Sequence, residues 1–134
     1  MGRIDDLVET ARARIHRLTP GEARAAMQRG AVILDTRTYE QRRADGVIPG
    51  ATVMNRNIVE WRVDPTSGWE DPAVVARTGP VIVMCDEGFA SSLAAATLVD
   101  LGVEDAADMI GGYQAWREAG LPTEPAPPPG PPLP

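Results

Sequence analysis

Short apolar runs alternating with helix signals constrain this chain more than any other feature. Ala31–Leu34, Val81–Met84 and Ala106–Ile110 are rich in Val, Ile, Leu, Met and Ala, and polar or helix-forming segments separate them. Runs this short read as strands buried on both faces, and strands alternating with helices favour a parallel sheet. Ile15–Leu18 and Ala51–Met54 read as two further short strands. The expected fold class is α/β, with a central parallel sheet flanked by helices on both faces.

Helix signals fill the intervals. Residues 3–14 form an amphipathic pattern with Ile4, Leu7, Val8 and Ala11 on one face. Thr19-Pro20-Gly21-Glu22 is a helix start, with a capping residue, Pro in the first turn and Glu completing a capping box. Thr38–Ala44, Asn57–Arg62, Ser91–Leu101 and Gly112–Ala119 also read as helical. Ser91–Leu101 is apolar almost all round and is expected to pack inside. From Pro122 onward the chain is Pro-rich with almost no apolar side chains. The expected organisation is one domain over residues 1–121, including the N-terminal helix at 3–14, and an extended disordered tail at 122–134. A length of 134 residues suits one domain.

Charge and cysteine content narrow the function. A net charge of −6 argues against nucleic acid or an anionic membrane as partner. The N-terminus lacks the apolar stretch of a signal peptide, and no apolar run is long enough to span a bilayer. A single Cys excludes an internal disulfide and a multi-Cys zinc site, and it fits a reducing compartment. The expected location is cytoplasmic, and neither a metal nor a cofactor is expected. His16 has no partner at metal-ligand spacing and reads as structural or exposed.

In a parallel sheet the loops after Leu34, Met84 and Ile110 emerge at one edge, where open α/β folds place their sites. That edge gathers Asp35, Thr36 and Arg37, the segment Cys85–Ser91, and Gly111 with Gly112. Cys85 ends a strand and opens the loop Asp86, Glu87, Gly88, Phe89, Ala90 and Ser91, which runs into a helix. Such a loop turns backbone N–H groups inward and favours an anionic sulfur. Gly88 supplies the positive φ that a tight loop needs. From this pattern alone two readings stand side by side: a nucleophile held by N–H groups, or a buried small hydrophobe.

The chain resembles the rhodanese-like domain family in three places. Ile33-Leu34-Asp35-Thr36-Arg37 with Glu40, leading to Gly46-Val47-Ile48-Pro49-Gly50-Ala51, is similar to the family's Asp-x-Arg strand end and its Gly-His-Ile-Pro-Gly-Ala turn. The Cys85 loop resembles its Cys-x-x-Gly active-site loop. Gly111-Gly112-Tyr113-Gln114-Ala115-Trp116, followed by Gly120-Leu121-Pro122, resembles its Gly-Gly-x-x-x-Trp and Gly-Leu-Pro pattern. The resemblance spans residues 31–122 and implies a three-layer rhodanese-like fold and sulfurtransfer through a Cys85 persulfide. It implies a small sulfur donor or a persulfide-carrying protein, and a thiol or cyanide as acceptor. A non-catalytic binding or regulatory module and a protein-to-protein persulfide relay are the alternative functions.

Val47 stands where the family usually has His, in a turn otherwise intact. Asp86 and Glu87 stand in a loop that is often basic in members efficient with thiosulfate, so thiosulfate is expected to be a poor donor. By resemblance Arg37 contacts an anionic donor; the competing role is an ion pair with Glu40. Trp61 and Arg62 are candidates to wall the pocket, Arg62 as a cation, against simple packing and solvation. Ser91 and Ser92 either bond the sulfur or cap the helix. Trp116 is expected in the core, and Gly111 and Gly112 are expected to shape the backbone near the site. Phosphatases sharing this fold carry an Arg six positions after the Cys; here that position is Ser91.

Overall fold

Val81–Met84 (β4) is the centre of the architecture, and all four of its side chains are buried. The computed structural model describes residues 2–130. In chain order the elements are α1 Arg3–Arg12, β1 His16–Leu18, α2 Pro20–Gln28, β2 Val32–Asp35, α3 Tyr39–Asp45 and β3 Thr52–Val53. A 3₁₀ turn at Arg56–Ile58 leads into α4 Val59–Val63, followed by α5 Pro72–Val75. After β4 come α6 Ala90–Asp100, β5 Ala107–Met109 and α7 Gly112–Glu118. The strands form one sheet in the order β1-β5-β4-β2-β3, and every strand pair is parallel.

Side-chain alternation divides the core. Leu34, Val81 and Val83 face α4, α5 and α6 through Val59, Val63, Val74, Ala94, Ala95 and Leu98. Ile33, Ile82 and Met84 face α2 and α7 through Ala23, Ala26, Tyr113 and Trp116. These are the three layers expected from the sequence. Each fully buried Val, Leu, Ile or Met contributes roughly 1.5–3 kcal/mol. The Thr19 capping box forms as expected: the Thr19 hydroxyl accepts from Glu22 N–H, and the Glu22 carboxylate accepts from Thr19 N–H.

Two features add detail to the expected organisation. On α1 only Val8 and Ala11 are buried, whereas Ile4 and Leu7 are more than half exposed. The short helix packs on α6 with a narrow stripe, too narrow to cover four apolar residues. The second concerns the segment after Leu121. The chain remains attached to the domain past Leu121. Trp116 Nε1 donates to the Pro122 carbonyl at 2.8 Å. Val47 and Glu124 exchange backbone hydrogen bonds at 2.8 and 2.9 Å in an antiparallel bridge. A buried indole N–H needs an acceptor, and the Pro-rich segment supplies it. Residues 131–134 of the expected tail lie outside the described residues. No helix of the described chain is long and apolar enough to cross a membrane.

Candidate active site

The sheet order reverses direction between β2 and β4. The connection from β2 runs outward to β3, and the connection from β4 runs the other way to β5. A crevice opens between the carboxyl ends of strands that part in this way. Here it has a volume of about 360 Å³ and is lined by Thr36, Arg37 and Thr38 from one side and Cys85, Asp86, Glu87, Phe89 and Ala90 from the other. Gln41 and Arg56 complete it. A larger open cleft of about 750 Å³ near Asp64, Arg77 and Asp105 contains no thiol.

Cys85 is a free, buried thiol at the end of β4. Two backbone N–H groups point at its sulfur, from Gly88 at 3.2 Å and from Ser91 at 3.3 Å. Gly88 has φ +87°, in the region that L side chains avoid. A Cβ there would lie 2.7 Å from Gly111 N.

The start of α7 holds the other side of the loop. Tyr113 N–H donates to the Cys85 carbonyl at 3.0 Å, and Gln114 N–H donates to the Asp86 carbonyl at 3.1 Å. With the Cys85 and Asp86 carbonyls turned toward α7, the loop has N–H groups free to face the sulfur. Gly112 allows this approach: a Cβ on it would meet the Cys85 carbonyl oxygen at 2.5 Å. Gly111 precedes it as the N-cap of α7.

Asp35 and Arg37 form a fully buried pair, Nη2 to Oδ2 at 2.8 Å and Nε to Oδ1 at 3.1 Å. Arg37 also donates to the Gly46 carbonyl at 2.8 Å and stacks on the Tyr113 ring at 3.6 Å. Its ion-pair partner is therefore Asp35, and Glu40 is exposed on α3. The fork of a guanidinium matches a carboxylate two residues away when both turn inward at a strand end. Burial pushes the Tyr113 phenol up, and the guanidinium charges of Arg37 and Arg117 pull it partly back.

Other expected site residues are distributed differently. Arg62 donates to the Trp69 carbonyl and pairs with Asp71, and neither it nor the exposed Trp61 lines the crevice. Besides the buried Arg37, the cation found there is Arg56, paired with Glu60 one helical turn on. The hydroxyls of Ser91 and Ser92 donate to Asp108 at 2.9 and 2.7 Å and do not reach the sulfur. Asp86 is half-buried and accepts from Gln114 Nε2 at 2.9 Å, while Glu87 is exposed.

Asp108 escaped the sequence reading, as did the arginines around it. It is fully buried within β5 and pairs with Arg17 at 2.8 Å. A carboxylate inside an apolar strand is a signal in itself, because a buried charge requires partners. Arg12 and Arg17 carry no comparable local signal, since their contacts lie 76 and 71 residues along the chain.

The family model of the rhodanese-like domain matches residues 19–119. A thiosulfate sulfurtransferase GlpE of Pseudomonas fluorescens is 32% identical over 101 residues, covering 75% of this chain and 84% of the relative. A Rhodopseudomonas palustris protein of unknown function, given as a possible tyrosine phosphatase, shares 33% identity with a TM-score of 0.81. That alignment covers 92% of this chain and 96% of the other. The polysulfide-sulfur transferase of Wolinella succinogenes, a homodimer, shares 25% identity with a TM-score of 0.68, covering 91% of this chain and 87% of the other.

Proposed function

The chain belongs to the rhodanese-like domain family, whose sulfurtransferase members it resembles, and from this premise we propose that it carries sulfane sulfur as a persulfide on Cys85. The observation that carries this reading is the pair of N–H groups from Gly88 and Ser91 directed at the sulfur. In the first half-reaction the Cys85 thiolate attacks the outer sulfur of the donor. The donor's S–S bond breaks, its electron pair leaves with the departing group, and a Cys85 persulfide anion remains. In the second, an acceptor such as cyanide or a thiolate attacks the terminal sulfur. The persulfide S–S bond breaks and Cys85 returns as a thiolate. Every state carries negative charge at the loop, where fixed N–H dipoles stabilise it without reorganising.

Phosphoryl transfer is not favoured. It needs a guanidinium closing the loop on the phosphoryl oxygens, and Ser91 stands there with its hydroxyl engaged by Asp108. The small donor and the acceptor meet Cys85 in the crevice that also holds Arg56, Glu87 and Phe89.

The test is intact mass after incubation with a sulfane-sulfur donor. Wild type should gain one sulfur atom, lose it to reductant, and pass it to cyanide. Cys85→Ser should gain none. Cyanide turnover that persists in Cys85→Ser overturns the reading. An adduct obtained only from a persulfide-carrying protein would make the chain a relay, and no adduct from any donor would make it a binding module.

A further inference from the structure

Gly88 is bonded on both sides. Its N–H faces the Cys85 sulfur, and its carbonyl accepts from Arg12 Nη2 at 2.8 Å and Arg17 Nη2 at 3.2 Å. Arg12 also donates through Nε to Ser92 Oγ at 3.1 Å and lies over the Phe89 ring at 5.2 Å. One guanidinium thus spans the loop residue Gly88 and the first turn of α6. Ser92 Oγ lies 3.3 Å from the Gly88 carbonyl and 2.7 Å from Asp108 Oδ2. A hydroxyl has one proton, and the shorter carboxylate contact takes it. The Gly88 carbonyl is therefore left to the two arginines.

The two arginines differ in charge balance. Arg17 is neutralised by Asp108 at 2.8 Å. Arg12 forms no ion pair among the described residues, so it is the net cation behind the cysteine loop. It belongs to α1, before the residues 19–119 matched by the family model. Asp86 and Glu87 occupy the loop itself.

We propose that Arg12 is a positioning residue for Cys85: it fixes Gly88 and the start of α6 from behind, so that the Gly88 and Ser91 N–H groups stay aimed at the sulfur. This rests on the reading of Cys85 as the nucleophile. The fork geometry is essential, because Nε and Nη2 serve two acceptors that a lysine ammonium cannot span in the same way.

The experiment compares Arg12→Ala, Arg12→Gln and Arg12→Lys with wild type by three measurements: alkylation of Cys85 with iodoacetamide at pH 7, kcat and KM for sulfur transfer to cyanide, and Tm. Arg12→Ala should slow alkylation and kcat about tenfold, with KM within about twofold, as expected when one charge-assisted contact that orients a reacting centre is lost. Arg12→Lys should recover part of both rates. A role confined to holding α1 on the domain would lower Tm while leaving alkylation unchanged or faster, because a loosened loop exposes the thiol. Wild-type alkylation and kcat in folded Arg12→Ala overturn the proposal. If that variant does not fold, Arg12→Gln, which keeps part of the stem and a donor but loses the charge, decides by the same criteria. Absence of sulfur transfer in wild type would overturn the nucleophile's role in transfer, and the alkylation comparison would still judge Arg12.

Discussion

Gly112 stands so close to Cys85 that a Cβ on the glycine would lie 2.5 Å from the cysteine's carbonyl oxygen. Its φ of +61° adds a conformational demand that alanine meets poorly. Gly112→Ala should push the cysteine loop away from α7 and break the Tyr113 N–H bond to Cys85. A stability loss of about 2–3 kcal/mol is expected from strain and displaced packing. Sulfur transfer should fall further than stability explains. Denaturant unfolding alongside kcat/KM checks both, and a fully active, fully stable variant would contradict the close approach.

Arg37 and Asp35 give the second prediction. Removing either partner leaves a charge buried without compensation, a change that costs about 3–5 kcal/mol. Arg37→Ala and Asp35→Ala should each lower the urea midpoint strongly. Glu40→Ala, an exposed change, should stay within about 0.5 kcal/mol. A raised KM for an anionic donor in a folded, undestabilised Arg37→Ala would show that the side chain leaves its buried pair to meet substrate.

Much of this site was legible in the sequence, and the reason is chain locality. Cys85, Gly88 and the start of α6 lie in one continuous strand–loop–helix segment, so their arrangement follows from local pattern. The same holds for the Thr19 capping box and for β4. What escaped depends on distant pairing. Arg37 was legible as a site-edge residue, but Asp35 and Glu40 were both near enough in sequence to pair with it, and only the inward turn at the end of β2 decides between them. Arg62 and Arg56 lie within one short segment; helical geometry at the 3₁₀ turn and α4 sends the first to Asp71 and the second to the crevice. The Arg12 and Arg17 contacts to Gly88 bridge most of the chain and require the sheet order to be known.

Glu87 governs the third prediction. In the crevice Arg37 is neutralised by Asp35 and Arg56 is paired with Glu60, whereas Asp86 and Glu87 form no ion pair among the described residues. A dianionic donor such as thiosulfate meets this acidic mouth. Its kcat/KM should be low at low salt and should rise as salt screens the repulsion. Each 1.4 kcal/mol or so of repulsion removed is worth about tenfold in rate. Glu87→Lys should raise thiosulfate kcat/KM and reverse the salt dependence. It is the cleaner of the two loop substitutions, since Asp86 also holds Gln114. Fast wild-type turnover of thiosulfate that falls with salt would point instead to Arg56 as the dominant charge.

The fourth prediction concerns the C-terminal segment. A chain ending at Glu124 keeps the Trp116 bond to Pro122 and the Val47–Glu124 bridge, whereas one ending at Leu121 loses all three hydrogen bonds. At about 0.5–1.5 kcal/mol each, the shorter chain should be less stable by about 2–4 kcal/mol. Thermal unfolding of the two truncations measures the difference, and equal midpoints would show that the bridge contributes nothing in solution.

The bonds from α7 to the cysteine loop also bear on biosynthesis. Cys85 and Asp86 depend on Tyr113 and Gln114 for the orientation of their carbonyls, and Asp86 and Gln114 stand 28 residues apart. A ribosome releases the chain from the N-terminus onward, so Cys85 emerges well before the helix that shapes its loop. Until α7 docks, the nascent chain displays a thiol without its cradle. The sulfur chemistry proposed for Cys85 therefore requires nearly all of the domain to have been translated, and a chain arrested before Gly112 would be left with a cysteine but no assembled site.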